Sequence, residues 1–183
     1  MRWLSLVRDR DANAAVEMAL VTPLLLALMF GAVELGNYFM TEHAVEKQVR
    51  DGARYASRLS LSDAYSCPDT VFADANANTD IVNVTETGAV SGAGFPRLDS
   101  SYWDRTCGSD TQTVTVSVRC VPKSDIDIGA SGNSGIYTSL NGDIPVVKVS
   151  ARVKYLSVLS QLGFNAATNI CLQADSESAV QGI

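Results

Sequence analysis

The chain has 183 residues, a net charge of −6 and only 7% aromatic residues. That length suits one folded domain plus an anchor, with a modest core. The acidic balance excludes a nucleic-acid surface, which needs clustered Lys and Arg.

The first element in chain order is apolar. Met18 to Val33 reads MALVTPLLLALMFGAV, sixteen residues without a charge. Ala14 to Val16 and Leu35 to Met40 extend it across Glu17 and Glu34. A helix from Ala14 to Met40 would be about 40 Å long and would cross a bilayer core of about 30 Å. The run exceeds a usual signal core, no A-x-A site closes it, and helical character continues to Glu46, so the segment reads as a retained anchor. Arg2, Arg8 and Arg10 precede the run while Lys47, Arg50, Arg54 and Arg58 follow it, so flanking charge does not fix orientation.

The pattern continues past the apolar run. Val45, Val49, Ala53, Ala56 and Leu59 recur every three or four residues, forming one apolar stripe. Glu46 and Arg50 stand four apart and attract. The spacing predicts one helix from about Asn13 to about Arg58, roughly 69 Å long, whose last part packs on the soluble domain. Pro23 removes one backbone donor inside it.

Glu17 and Glu34 are seventeen residues apart. On a helix they lie about 100° apart around the axis and about 25 Å apart along it, so they cannot form one two-carboxylate site. Glu34 belongs at the outer membrane interface. Glu17 sits at the inner edge, where Asn13 can cap the helix and the carboxylate favours its positive end. The other reading is that Glu17 meets a cation from a neighbouring subunit.

Three later segments read as strands: Thr79–Thr85, Thr111–Arg119 and Ile144–Tyr155. The second alternates Val114, Val116 and Val118 with Thr and Ser. The third alternates Val147, Val149, Ala151 and Val153 with Lys148, Ser150, Arg152 and Lys154. Such alternation buries one face, and the helix stripe is its natural cover. The fold class is therefore α+β: a long N-terminal transmembrane helix continuing into a small antiparallel-sheet domain. The long connections at 88–110 and 123–143 suggest further short elements near Tyr102-Trp103 and Ile136–Leu140. Leu156–Leu162 suggests a short helix. The division is a leader at 1–12, a helix at 13–59 and a disulfide-bonded β-rich domain at 60–183.

The cysteines are Cys67, Cys107, Cys120 and Cys171, all after the apolar run. No C-x-x-C pair occurs and the one histidine is His43, so a zinc site is not expected. Two structural disulfides place the C-terminal part on the oxidising side of the membrane. Cys107 and Cys120 flank a strand about 30 Å long and should not pair. A meander would bring Cys67 to the end of the second strand, which favours Cys67–Cys120 with Cys107–Cys171.

No catalytic constellation, cofactor fingerprint or metal motif appears. His43 lies on the helix, far from any nucleophile pattern. Asp125, Asp127, Gly129 and Asn133 have a faint calcium-loop flavour whose spacing fails the EF-hand pattern, so they read as an acidic loop. Trp103 reads as a core anchor, the alternative being a contact patch with Tyr102.

The stretch Asp11-Ala-Asn-Ala-Ala-Val-Glu-Met-Ala-Leu-Val-Thr-Pro-Leu-Leu-Leu-Ala-Leu-Met-Phe-Gly-Ala-Val-Glu-Leu-Gly36 resembles the start of TadE-like proteins. These are minor pseudopilins of tight-adherence (Flp, type IVc) pilus systems. Val49-Arg-Asp-Gly-Ala-Arg-Tyr-Ala56 is similar to the family's segment after the membrane helix. The resemblance covers about the first 60 residues and implies a pilin-like fold and a structural, non-enzymatic role in pilus assembly. The implied partners are other pilins or pseudopilins, the pilus assembly platform, a prepilin peptidase and the bacterial inner membrane, with the C-terminal domain periplasmic. It also implies removal of the leader between Ala12 and Asn13, where the family's usual glycine is Ala12. Glu17 would then be the fifth mature residue and would pair with a neighbour's new amine at Asn13. The alternative is a signal-anchored envelope binding module that never enters a filament.

Overall fold

The computed structural model describes residues 10–61, 64–67, 69–123, 135–137, 142–161, 163 and 170–182, with the backbone alone for 10–13. The fold is α+β. A single helix, α1 (Arg10–Arg58), runs through Pro23 without a break. A two-residue ribbon follows, β1 (Tyr65–Ser66) against β2 (Val71–Phe72). Then come α2 (Ala75–Thr87), α3 (Ser100–Trp103), β3 (Val114–Val121), a 3₁₀ turn at Gly135–Tyr137, β4 (Ile144–Lys154), α4 (Val158–Gln161) and β5 (Cys171–Ala179).

β4 is the centre of an antiparallel sheet of order β3-β4-β5. Val147, Val149, Ala151 and Val153 are all buried, the face that the alternation predicts. Directly opposite residues share a face. Val153 opposes Leu172, Ala151 opposes Ala174, Val149 opposes Ser176 and Val147 opposes Ser178. The inner face of β5 is therefore mostly small, and α1 packs across β5 and β4 there. On the solvent face Lys148 meets Asp175 at 3.4 Å and Arg119 meets Glu177 at 3.4 Å. Such exposed pairs contribute about 0–1 kcal/mol each, so the apolar face carries the stability.

The stripe of α1 does what its spacing predicts. Val45, Val49, Ala53 and Ala56 are buried, and Leu59 packs against them half-buried. Burying a valine or isoleucine stabilises by about 1.5–3 kcal/mol. The helix ends where other groups take over its last carbonyls. The Tyr65 hydroxyl donates to Ala56 O at 2.6 Å, and the Gln181 amide donates to Ser57 O at 2.7 Å.

The sequence expectation fails at Thr79–Thr85, which is helical and not a strand. It lies within α2, whose start is capped by Asp74, the side chain accepting from the Asn76 amide at 2.9 Å. Its end is Gly88 at φ 76°, a left-handed conformation that favours glycine. Ala77, Ile81 and Thr85 recur every four residues, and all three are buried on one face. Packing of that face on α1 outweighs the local β-branched preference. The third strand is instead β5, and the ribbon β1–β2 is also beyond the sequence reading. Short elements do stand at Ser100–Trp103, Gly135–Tyr137 and Val158–Gln161. Residues 138–140 and Leu162, parts of two expected elements, lie outside the described residues.

The disulfides are Cys67–Cys120 and Cys107–Cys171. The first ties the small ribbon to the end of β3. The second ties the loop before β3 to the start of β5.

Candidate functional site

The N-terminal half of α1 stands free of the domain. From Ala14 to Val33 every residue is exposed, and the first buried side chain is Thr41. Leu20 is 73% exposed, Leu28 63% and Val33 56%, on different sides of the helix. A helix that is apolar all round belongs in an apolar medium or against other helices. It is long and apolar enough to cross a membrane. The twenty residues from Ala14 to Val33 span about 30 Å, the thickness of a bilayer core.

Glu17 lies on this free part, exposed, and makes no hydrogen bond or ion pair with its own chain among the described residues. Pro23 lies six residues on. Its missing N–H leaves the Ala19 carbonyl without a helical donor. In the same turn the Thr22 hydroxyl donates to Met18 O at 2.6 Å. Glu17 and the Ala19 carbonyl are thus two polar groups on a largely apolar rod, and Glu17 has no partner among the described residues. Ala12 and Asn13 are helical in backbone, their side chains lie outside the described residues, and the leader before Arg10 lies outside them altogether.

The domain grips the helix at Glu34. Glu34 Oε2 accepts from the Leu159 amide at 3.1 Å, which ties the carboxylate to α4. The Tyr155 hydroxyl donates to Glu34 O at 3.2 Å and accepts from Asn37 Nδ2 at 2.9 Å. The Tyr155 ring meets Tyr38 edge-on at 5.3 Å. Glu34 therefore has a role within the chain, holding the helix to the strand β4 exit. Glu17 has none. The sequence separates the two carboxylates by distance, and the structure separates them by partner. The clamp itself has only a weak sequence signal, the clustering of Glu34, Asn37 and Tyr38 at the end of the apolar run.

The remaining candidates are plain in geometry. His43 is exposed on α1, 3.6 Å from Glu46, which also pairs with Arg50. Trp103 is 7% exposed and belongs to the core. Among the described residues no three His, Cys, Asp or Glu side chains are placed to hold a metal ion. The acidic loop at 125–133 lies outside the described residues.

The TadE-like protein family model matches residues 13–54. That stretch begins at Asn13, takes in the free half of α1 and ends at Arg54, inside the part that packs on the sheet. No curated protein and no solved structure matches the chain.

Proposed function

We propose, from the TadE-like resemblance of residues 13–54, that this chain is a minor pseudopilin that takes part in assembling a tight-adherence type IV pilus. The observation that supports it most is the exposed, apolar half of α1 with a carboxylate at Glu17 that has no partner among the described residues. A carboxylate in mid-bilayer costs about 2.5–3.5 kcal/mol on insertion scales, less at the edge. A simple anchor gains little from it. A helix that packs against a neighbour offering a cation gains an ion pair in a low-dielectric setting.

In this reading the peptidase cuts between Ala12 and Asn13, which makes Glu17 the fifth residue of the mature chain. Glu17 then meets the Asn13 amine of an adjacent subunit, and the helices pack laterally in the inner membrane. The domain faces the periplasm, where its disulfides are stable, and offers surface to other pilins and the assembly platform. The role is structural rather than catalytic.

N-terminal sequencing of protein from the native membrane is expected to start at Asn13. Cysteines introduced at exposed positions such as Leu20 and Leu24 are expected to crosslink to another pilin-type helix. A chain that starts at Met1 beside an active peptidase, and that crosslinks to nothing, would instead be a signal-anchored module outside any filament.

A further inference from the structure

We propose that the apolar groove between α1 and α4, at the end of the membrane-crossing part of α1, seats one acyl chain of a phospholipid from the leaflet on the domain's side. The groove has a volume of about 430 Å³. Gly31, Leu35 and Tyr38 form its helix wall, spaced four and three apart and so on one face. Tyr155, Leu159 and Ile170 form the domain wall. The surface these walls present to the groove is almost wholly apolar. Leu35 is 55% exposed, Ile170 is 39% exposed and Gly31 is exposed, so the groove is open rather than sealed. Glu34 is the charged residue of the lining among the described residues, and its Oε2 is tied to the Leu159 amide at 3.1 Å.

Depth is the first observation that selects the occupant. With Ala14 to Val33 across the bilayer core, Gly31 lies about 3 Å inside the core and Tyr38 about 7.5 Å beyond its edge. The groove therefore starts among acyl chains and ends in the headgroup layer, which is about 5–7 Å thick. Left empty at that level, its apolar walls would face interfacial water, and an acyl chain withdraws them from it.

Size is the second. A helix segment about 10 Å long and 10 Å across fills about 800 Å³, so a neighbouring helix cannot enter. A single leucine from such a helix would leave most of the space empty. At about 30 Å³ for a water-sized group, the groove takes about fourteen methylene-sized units, which amounts to one acyl chain. The third observation is the outer end. Tyr38 and Tyr155 meet there edge-on at 5.3 Å, and the Tyr155 hydroxyl is bonded to Glu34 O and to Asn37. A ring with an apolar body and a polar tip suits the level of the glycerol esters.

The inference rests on α1 crossing the membrane and not on entry into a pilus. The test uses the full chain in vesicles of phosphatidylethanolamine and phosphatidylglycerol, doped with a phospholipid that carries a photoreactive group midway along one acyl chain. Mass spectrometry then locates the adducts. Leu28 and Met40, 63% and 76% exposed, are the references on the same helix, one in the core and one beyond it. Leu159 and Ile170 are expected to carry about fourfold more adduct than Met40, the ratio that one methylene withdrawn from water sets. A Cβ at Gly31 meets nothing within 4 Å, so Gly31→Phe can fill the groove without moving the backbone. That variant should lose the excess at Leu159 and Ile170 while Leu28 labels as before. Labelling at Leu159 and Ile170 no higher than at Met40, with Leu28 labelled, overturns the proposal and leaves the membrane crossing intact. An unlabelled Leu28 refutes the crossing itself, and the proposal with it. A photoreactive phenylalanine analogue in place of Leu35 should capture lipid; capture of a second protein chain, or of residues 164–169 of its own chain, also overturns the proposal.

Discussion

Gly52 lies in α1 where α2 crosses it. A Cβ placed there would stand 2.0 Å from Thr85 Oγ1, 3.2 Å from Thr85 Cβ and 3.6 Å from Ile81 O. Thr85 and Ile81 are both completely buried, so neither can move into solvent. Thr85 could rotate, but its hydroxyl donates to Ile81 O at 2.7 Å, and losing that bond costs about 0.5–1.5 kcal/mol. The Cβ–Cβ contact would still push the helices apart, a strain of about 1–3 kcal/mol. Against this, alanine gains about 1 kcal/mol over glycine within a helix. Gly52→Ala should therefore destabilise by about 1–3 kcal/mol. Chemical denaturation of the full chain in micelles, with disulfides intact and the near-UV signal of the domain as probe, measures it. Thr85→Ala removes the hydroxyl, so the double variant should lose about 1 kcal/mol less than the two single losses added together. A Gly52→Ala chain as stable as the parent, or more stable through helix propensity alone, would refute the close approach of α2.

Four further outcomes are expected. Ile81→Ala should cost about 2–5 kcal/mol by the same denaturation assay, because the side chain is fully buried between α2 and α1. Replacing Cys107 and Cys171 together by serine should cost about 2–5 kcal/mol, since the bridge closes a separation of 64 residues; peptide mapping without reduction should recover Cys67–Cys120 intact. The Glu86 carboxyl is raised in the folded chain, chiefly by burial, so its protonated form is the one that folding favours. Its stabilising effect is full below the unfolded value and is lost as pH rises through the folded one, and denaturation midpoints across that window should lose this slope in Glu86→Gln. Glu17→Ala should leave the domain's denaturation within about 0.5 kcal/mol of the parent, while crosslinking of α1 to pilin-type helices falls sharply.

The long helix, the central strand β4 and the edge strand β3 are legible in the sequence because their patterns are unmixed. α1 is an apolar run that passes into one stripe from Val45 to Leu59, and β4 alternates valine or alanine with lysine, serine or arginine. α2 is misread because Ile81, Val82, Val84 and Thr85 carry strand-favouring side chains over a short stretch. The helical signals are present but sit outside it: Asp74 as cap, Gly88 as stop, and Ala77, Ile81 and Thr85 at intervals of four. β5 hides for the opposite reason. Its inner residues Ala174, Ser176 and Ser178 are small, so no apolar alternation announces a strand. The outward Gln173, Asp175 and Glu177 do alternate at period two, and that polar half of the pattern is the signal available. What makes the small face worth burying is α1 above it, a tertiary fact that no local window contains.

The same division explains why Glu17 and Glu34 have different fates on one helix. Beyond Glu34 the residues of α1 obey the sheet: small or β-branched side chains face it, and the carboxylate at the boundary finds the Leu159 amide. Before Glu34 none of the described residues selects one face of the helix, since Ala14 to Val33 are exposed on every side and mostly apolar. A helix held only for its own domain would need no polar group there. The stretch from Glu17 to Pro23 nevertheless holds an ionisable side chain and a carbonyl freed by proline, on the part of α1 where every described residue is exposed. If the free half is an inert anchor, changing either residue should alter nothing beyond insertion. If it is a packing surface, Glu17→Ala and Pro23→Ala should disrupt association with neighbouring helices while the folded domain stays the same, and that contrast is where the assembly reading and the anchor reading part.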